Sequence, residues 1–271
     1  MATDLRLLCV MAHPDDESLG TGGILARYGA EGVATYLITA TRGERGRIGT
    51  ERPGAAIVAP VREAEVRKAA AVLGIRELHF LDYLDGELDR ADPRQAISKI
   101  AAHVRRIRPQ VVVTFAADGA YGHVDHIAIS QLTGAALVAA ADPGHAAAPG
   151  IAMPESTHAT SKLYWMADTQ PTWRAYENAF GELVHRVDGI ERRATPWPDW
   201  MPTTRIDTAA YRDVIWNAVE CHQSQISGYS RLKELTPEDQ AALWNKQTYY
   251  RVFSLVNGGR EPEDDLFAGL R

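Results

Sequence analysis

The stretch Leu5-Arg6-Leu7-Leu8-Cys9-Val10-Met11-Ala12-His13-Pro14-Asp15-Asp16-Glu17 decides the fold. Leu5 to Met11 is a short apolar run, the pattern of a strand buried on both faces. Polar chemistry then begins at once. His13, Asp15 and Asp16 crowd one turn, and Pro14 restricts His13 to extended backbone. A tight turn there brings His13 and Asp16 to one point. Asp15 lies between them, projects differently, and is available for a role other than holding a metal.

The same alternation continues outward. Gly20 to Ala30 reads as a helix and Val33 to Thr39 as a second strand. Arg62 to Leu73 reads as an amphipathic helix that stops at Gly74. Leu78 to Leu81 reads as a third strand. Pro93 to Ile107 is predicted helical, with a proline at its start and Pro109 after its end. Val111 to Phe115 is a fourth buried strand, and Asp125 to Ala140 is helical. The fold class expected is therefore α/β: a Rossmann-like, mostly parallel sheet flanked by helices. In such sheets ligands bind beyond the carboxyl ends of the strands.

A second polar motif follows the fourth strand. It is Tyr121-Gly122-His123-Val124-Asp125-His126, which opens a helix. His123 and His126 are three apart, so both can face one side of a first helical turn. Asp125 is placed to orient an imidazole by accepting its other N–H. Together the two motifs offer two histidines and one aspartate to a divalent ion and keep a fourth position open, the pattern of a catalytic zinc site. Iron or cobalt would suit the same donors.

The second half is less telling. Residues 142–160 read as a long loop rich in Ala, Pro and Gly. Trp165, Trp173, Trp197 and Trp200 follow among prolines, where sugar stacking and core packing are equal readings. Ser161 to Ala167 and Tyr249 to Val256 read as strands, and Ala209 to Ile226 as a helix. We expect one domain over 1–271, with a Rossmann-like core over 1–141. Residues 142–271 are expected to form an extension that covers the site and shapes the substrate pocket.

Composition narrows the rest. The 271 residues are 45% hydrophobic and 24% charged, an ordinary globular balance. A net charge of −6 argues against a nucleic-acid partner. Cys9 and Cys221 flank no CxxC, which argues against a disulfide framework or a thiolate metal site. The N-terminus lacks a signal-peptide pattern, and the sequence shows no apolar run of about 18 residues. A cytoplasmic protein without a membrane partner is expected, and assembly into a homo-oligomer is left open.

AHPDDE followed by HxDH about a hundred residues later resembles the PIG-L/LmbE family of zinc deacetylases. The clear resemblance covers roughly residues 5–140, and the tail Glu263-Asp264-Asp265-Leu266-Phe267-Ala268-Gly269 is similar to mycothiol-type members. The resemblance implies one Zn2+ held by His13, Asp16 and His126, with Asp15 as general base. It implies that protonated His123 stabilises an oxyanion or protonates the leaving amine. Asp125 would orient a neighbouring histidine, and Tyr121 would polarise the substrate carbonyl. Glu44, Arg62, Asp85 and His222 match positions toward the substrate. The implied activity is removal of an N-acetyl group from an N-acetylglucosamine-containing small molecule. One alternative is an amidase of mycothiol-type thiol conjugates, which cleaves a larger acyl group. A non-catalytic nucleotide- or sugar-binding module is the alternative of another class. Gly20-Thr21-Gly22-Gly23 supports it weakly, because GxGxxG is not met and acids stand where a pyrophosphate would sit.

Overall fold

The computed structural model describes residues 4–187 and 189–271. Among the described residues, nine strands and nine α-helices, with three short 3-10 turns besides, alternate through the first half and mix in the second. The first half runs β1 (Arg6–Met11), α1 (Asp16–Ala30), β2 (Ala34–Thr39), α2 (Ala55–Val72), β3 (Glu77–Phe80), α3 (Pro93–Ile107), β4 (Val111–Thr114), α4 (Gly119–Gly122, a distorted turn) and α5 (Val124–Ala141). The second half adds β5 (Lys162–Met166), α6 (Gln170–Phe180), β6 (Val184–Val187), β7 (Ile190–Arg193), β8 (Thr204–Asp207), α7 (Arg212–Cys221), α8 (Ile226–Tyr229), α9 (Pro237–Trp244) and β9 (Lys246–Ser254).

Seven strands form one sheet in the order β3-β2-β1-β4-β5-β9-β8. The first five are parallel, while β9 and β8 join antiparallel. β1 and β4 are buried along almost their whole length because helices cover both faces, which is why they read as unbroken apolar runs. Strand order reverses between β1 and β4. A crevice opens beyond the carboxyl ends at such a switch point, and the two polar motifs sit on its two sides.

Several boundaries depart from the sequence reading. α1 begins at Asp16 rather than Gly20. The Glu17 side chain accepts from the Asp15 backbone N–H at 2.9 Å and closes the first turn early. α2 begins at Ala55 and carries Pro60 inside. A proline this near the start costs one backbone bond without ending the helix. The helix expected over 209–226 ends at Cys221, and His222 leaves helical geometry. The last strand is Lys246–Ser254 rather than Tyr249–Val256.

The second half also does more than cover the site, because β5, β8 and β9 complete the sheet. The tail is pinned beneath them by Glu263, whose carboxylate meets Lys162 Nζ at 2.7 Å, Tyr164 Oη at 2.8 Å and Arg251 Nη1 at 2.7 Å. Against the expectation from the sequence, α5 is long and apolar enough by composition to cross a membrane, at 18 residues and mean hydropathy 1.3. It packs on α3 and the sheet, and the same apolarity serves core burial there.

Candidate active site

β1 delivers His13 directly to the crevice. Asp15 then takes φ 102°, a left-handed conformation that a residue with a Cβ adopts only when its surroundings enforce it. The turn reverses the chain, and Asp16 Oδ2 caps it by accepting from the His13 N–H at 2.8 Å and the Ala12 N–H at 3.1 Å. From the β4 side, Asp118 and a kinked turn at Ala120 (φ 64°) lead into α5. His123 caps that helix, and His126 stacks on Phe115 with ring centroids 3.8 Å apart.

The two motifs meet on His13. Its Nδ1 lies 3.2 Å from His126 Nε2 and 3.7 Å from Asp16 Oδ2, and His126 Nε2 lies 3.6 Å from Asp16 Oδ1. An ion bonded at about 2.0–2.1 Å in tetrahedral geometry holds its ligand atoms roughly 3.3–3.4 Å apart. The triangle therefore fits a zinc-sized cation. On the other side of the ring, Nε2 faces Asp125 Oδ2 at 3.0 Å and Asp85 Oδ1 at 3.2 Å. Two carboxylates there fix a proton on Nε2 and leave the Nδ1 lone pair for a metal. Asp125 thus orients His13, the histidine of the other motif. Its own oxygens also accept from the Gly86 N–H at 2.6 Å and the Leu88 N–H at 3.0 Å.

Two further triads bring donor atoms together, His13–His123–His126 and His13–Asp85–Asp125. The second is the proton-holding side of His13. In the first, His123 Nδ1 accepts the Asp125 N–H at 3.2 Å, so the ring proton sits on Nε2 and His123 is a donor rather than a ligand.

The charges agree with a cation site. Burial opposes charge on His13, but Asp125, Asp85 and Asp16 overcome it and hold its pKa up at about 10. Burial pushes Asp16 up to about 7, a cost that a bound cation would offset. Asp85 is held down at about 2; burial opposes this, and the His13 contact outweighs it. Burial, together with the neighbouring His13 charge, brings His123 down to about 4. The half-buried His123 ring also accepts a backbone amide at Nδ1, where the second proton of the expected imidazolium would sit.

Above this floor lies a cavity of about 400 Å³. Asp15, Arg62, Asp85, Tyr121 and His123 are among the residues that line it. Arg62 is buried rather than a surface charge, and its Nη2 donates to Asp15 Oδ2 at 2.8 Å. It also donates to Pro14 O and to Gly43 O. Gly43 is required there, because a Cβ would lie 2.0 Å from the guanidinium.

The structure places two of the expected residues outside the cavity lining. Glu44 is not among the cavity-lining residues; it accepts the Asp85 N–H at 3.1 Å and holds that loop in place. His222 is fully buried and pairs with Glu17 at 2.8 Å beneath the first motif, away from the substrate space. Its helix breaks just there, which turns the ring inward. Of the four tryptophans considered, Trp173 lines the cavity, whereas Trp200 is 80% exposed.

The sequence reading missed three contributors. Tyr229 donates to Asp15 Oδ2 at 2.5 Å. His185, on the β6–β7 hairpin, stacks on His123 at 4.5 Å between centroids. The third is an apolar wall led by Met166, Trp173, Phe180 and Leu183, together with Leu19. The spacing of Trp173, Tyr176 and Phe180 on one helix face was the available signal for that wall.

Comparison with known proteins bears on the family and the fold. The sequence profile of the GlcNAc-PI de-N-acetylase family, PIG-L, matches residues 8–137. A 1D-myo-inositol 2-acetamido-2-deoxy-alpha-D-glucopyranoside deacetylase of Thermobifida fusca is 33% identical, over 83% of this chain and 84% of its own. A mycothiol S-conjugate amidase of Streptomyces coelicolor is 31% identical, over 100% of this chain and 99% of its own. Among solved structures, a 4-carboxy-2-hydroxymuconate hydratase of Pseudomonas putida superposes with a TM-score of 0.68 at 20% identity, covering 94% of this chain and 99% of its own. That likeness speaks for the fold alone.

Proposed function

The chain belongs to the PIG-L family of de-N-acetylases, and from that premise we propose that it is a zinc-dependent hydrolase of an amide on an amino-sugar small molecule. One observation carries the reading. His13 Nδ1, His126 Nε2 and the Asp16 carboxylate converge within 3.2–3.7 Å on the cavity floor, with Asp15 beside them.

A zinc ion on those three residues would supply Lewis acidity, which lowers the pKa of a bound water from 15.7 toward about 7. The protein's own groups do the rest. Asp15 takes the proton of the attacking water. His123 Nε2–H and the Tyr121 phenol donate to the oxygen that gains charge, a contribution of roughly 3–4 kcal/mol per donor at such sites. Burial raises Tyr121 above its ordinary range and so keeps its proton available for donation. Because His123 Nδ1 is already an acceptor, Asp15 returns its proton to the leaving amine. Arg62 and Asp85 offer hydrogen bonds to sugar hydroxyls.

Acetate release from N-acetylglucosaminyl-inositol tests this reading, with metal chelated and then restored as zinc. Turnover should vanish and return in step with bound zinc. A chelated protein that stays active would refute it.

The apolar wall favours a second reading, an amidase whose acyl group is larger than acetyl. Each buried CH2 is worth about 0.8 kcal/mol, or roughly fourfold in kcat/KM. A series of N-acyl glucosamines from acetyl to hexanoyl separates the two. Rising kcat/KM supports the larger group, and a maximum at acetyl supports the first reading.

A further inference from the structure

Asp15 is held by more than its own motif. Its Oδ2 accepts two hydrogen bonds, from Arg62 Nη2 at 2.8 Å and from Tyr229 Oη at 2.5 Å. Its Oδ1 accepts none among the described residues, and Asp15 lines the cavity. The carboxylate is therefore fixed in rotation with one oxygen engaged and the other free.

Tyr229 comes from the far end of the sequence, 214 residues from Asp15. It sits on α8, and the turn before α8 is anchored to the first half. Ser224 N–H and Oγ bond to the Glu65 carboxylate at 2.6 and 2.7 Å, and the Gly49 N–H donates to Ser224 O at 2.8 Å. Phe180 meets the Tyr229 ring edge-on at 6.1 Å. The phenol is thus placed by packing on one side and by a tethered turn on the other. The backbone adds a reason for such support. Asp15 stands at φ 102°, a strained conformation that persists only where several contacts over-determine it.

Resting on the reading of Asp15 as the general base, we propose that Tyr229 is a positioning residue for that base: its hydroxyl, with Arg62, locks Asp15 Oδ2 so that Oδ1 alone faces the water and takes its proton. Tyr229 also lines the cavity, but in this role it acts through Asp15. Burial and the Asp15 charge raise its phenol well above the ordinary range, so it donates throughout the working pH range. The second half of the chain thereby completes a catalytic group whose chemistry lies wholly in the first.

The test is Tyr229→Phe, which removes the hydroxyl and keeps the ring against Phe180. A hydrogen bond to a charged group is worth roughly 10–100-fold, so kcat for amide hydrolysis should fall about 10–100-fold. KM should move less than about twofold, with the zinc content of the parent. In an Asp15→Asn background the same change should add no further loss, because the group it orients no longer accepts a proton. A merely structural tyrosine would lower both backgrounds by the same factor. Parental kcat in Tyr229→Phe, with Asp15→Asn impaired, overturns this proposal alone. Parental kcat in Asp15→Asn overturns the base assignment, and this proposal with it.

Discussion

The floor and the wall of the cavity are built by different physics. The floor, from the ends of β1 and β4 and the loop after β3, is a polar network in which Asp16, Asp85, Asp125 and His126 all meet at or beside the His13 ring. The wall, from α6 and its neighbours, is apolar and aromatic and holds its shape by packing. A network of this kind tolerates almost no substitution, because removing one member strands a buried charge. An apolar wall tolerates change in graded steps. On the proposed function, the chemistry falls to the floor and the choice of substrate to the wall.

Substitutions can break this contrast. The largest effect is expected from His126→Ala, which should lose both bound zinc and turnover, as measured by metal analysis and acetate release. Full zinc content in that variant would remove His126 from the ligand set. Next comes Asp125→Ala, which leaves the ligands intact but takes from His13 Nε2 the nearer of its two carboxylate partners. Zinc affinity should drop about 10–100-fold, as read by competition with a chelator. Unchanged affinity would mean that Asp125 does not orient His13.

The wall should respond more gently. Leu183→Ala trims a half-buried side chain at the cavity. It should lower kcat/KM for a hexanoyl substrate by about fivefold or less relative to the acetyl substrate, with zinc content unchanged. Equal losses for both substrates would argue that the wall does not touch the acyl group.

The smallest effect on turnover is expected far from both, at Glu263. Burial opposes charge there, but Lys162 and the neighbouring donors hold its pKa down at about 2, against 4.5 for a free glutamate. Because the folded pKa is depressed, its stabilisation is present above pH 4.5 and fades as pH falls toward about 2. Glu263→Gln should therefore lower Tm at neutral pH, and the gap to the parent should narrow across that window. A gap independent of pH would show that the charge does not pin the tail.

The floor was largely legible in the sequence and the wall largely was not. β1 and β4 announce themselves because burial on both faces leaves unbroken apolar runs. Each motif concentrates its polar residues within a few residues of a strand end, so spacing offered His13, Asp16, His123 and His126 as candidates, and the family resemblance chose His13, Asp16 and His126 among them. Asp125 was recognised, but its target was not, since His13 lies on another strand. Tyr229 and His185 carry no local pattern; they reach the site through a short helix and a small hairpin whose position only tertiary packing decides. His222 carried no local pattern that separates burial from pocket lining: the helix ends at Cys221, and the ring lies buried against Glu17.

The most direct test sets Asp15→Asn beside His126→Ala and measures zinc per chain together with acetate release. Asp15→Asn should retain one zinc per chain and lose turnover by about 10²–10⁴-fold, while His126→Ala loses both. Parental turnover in Asp15→Asn would contradict the account, because the floor would then hold a metal without needing the base beside it.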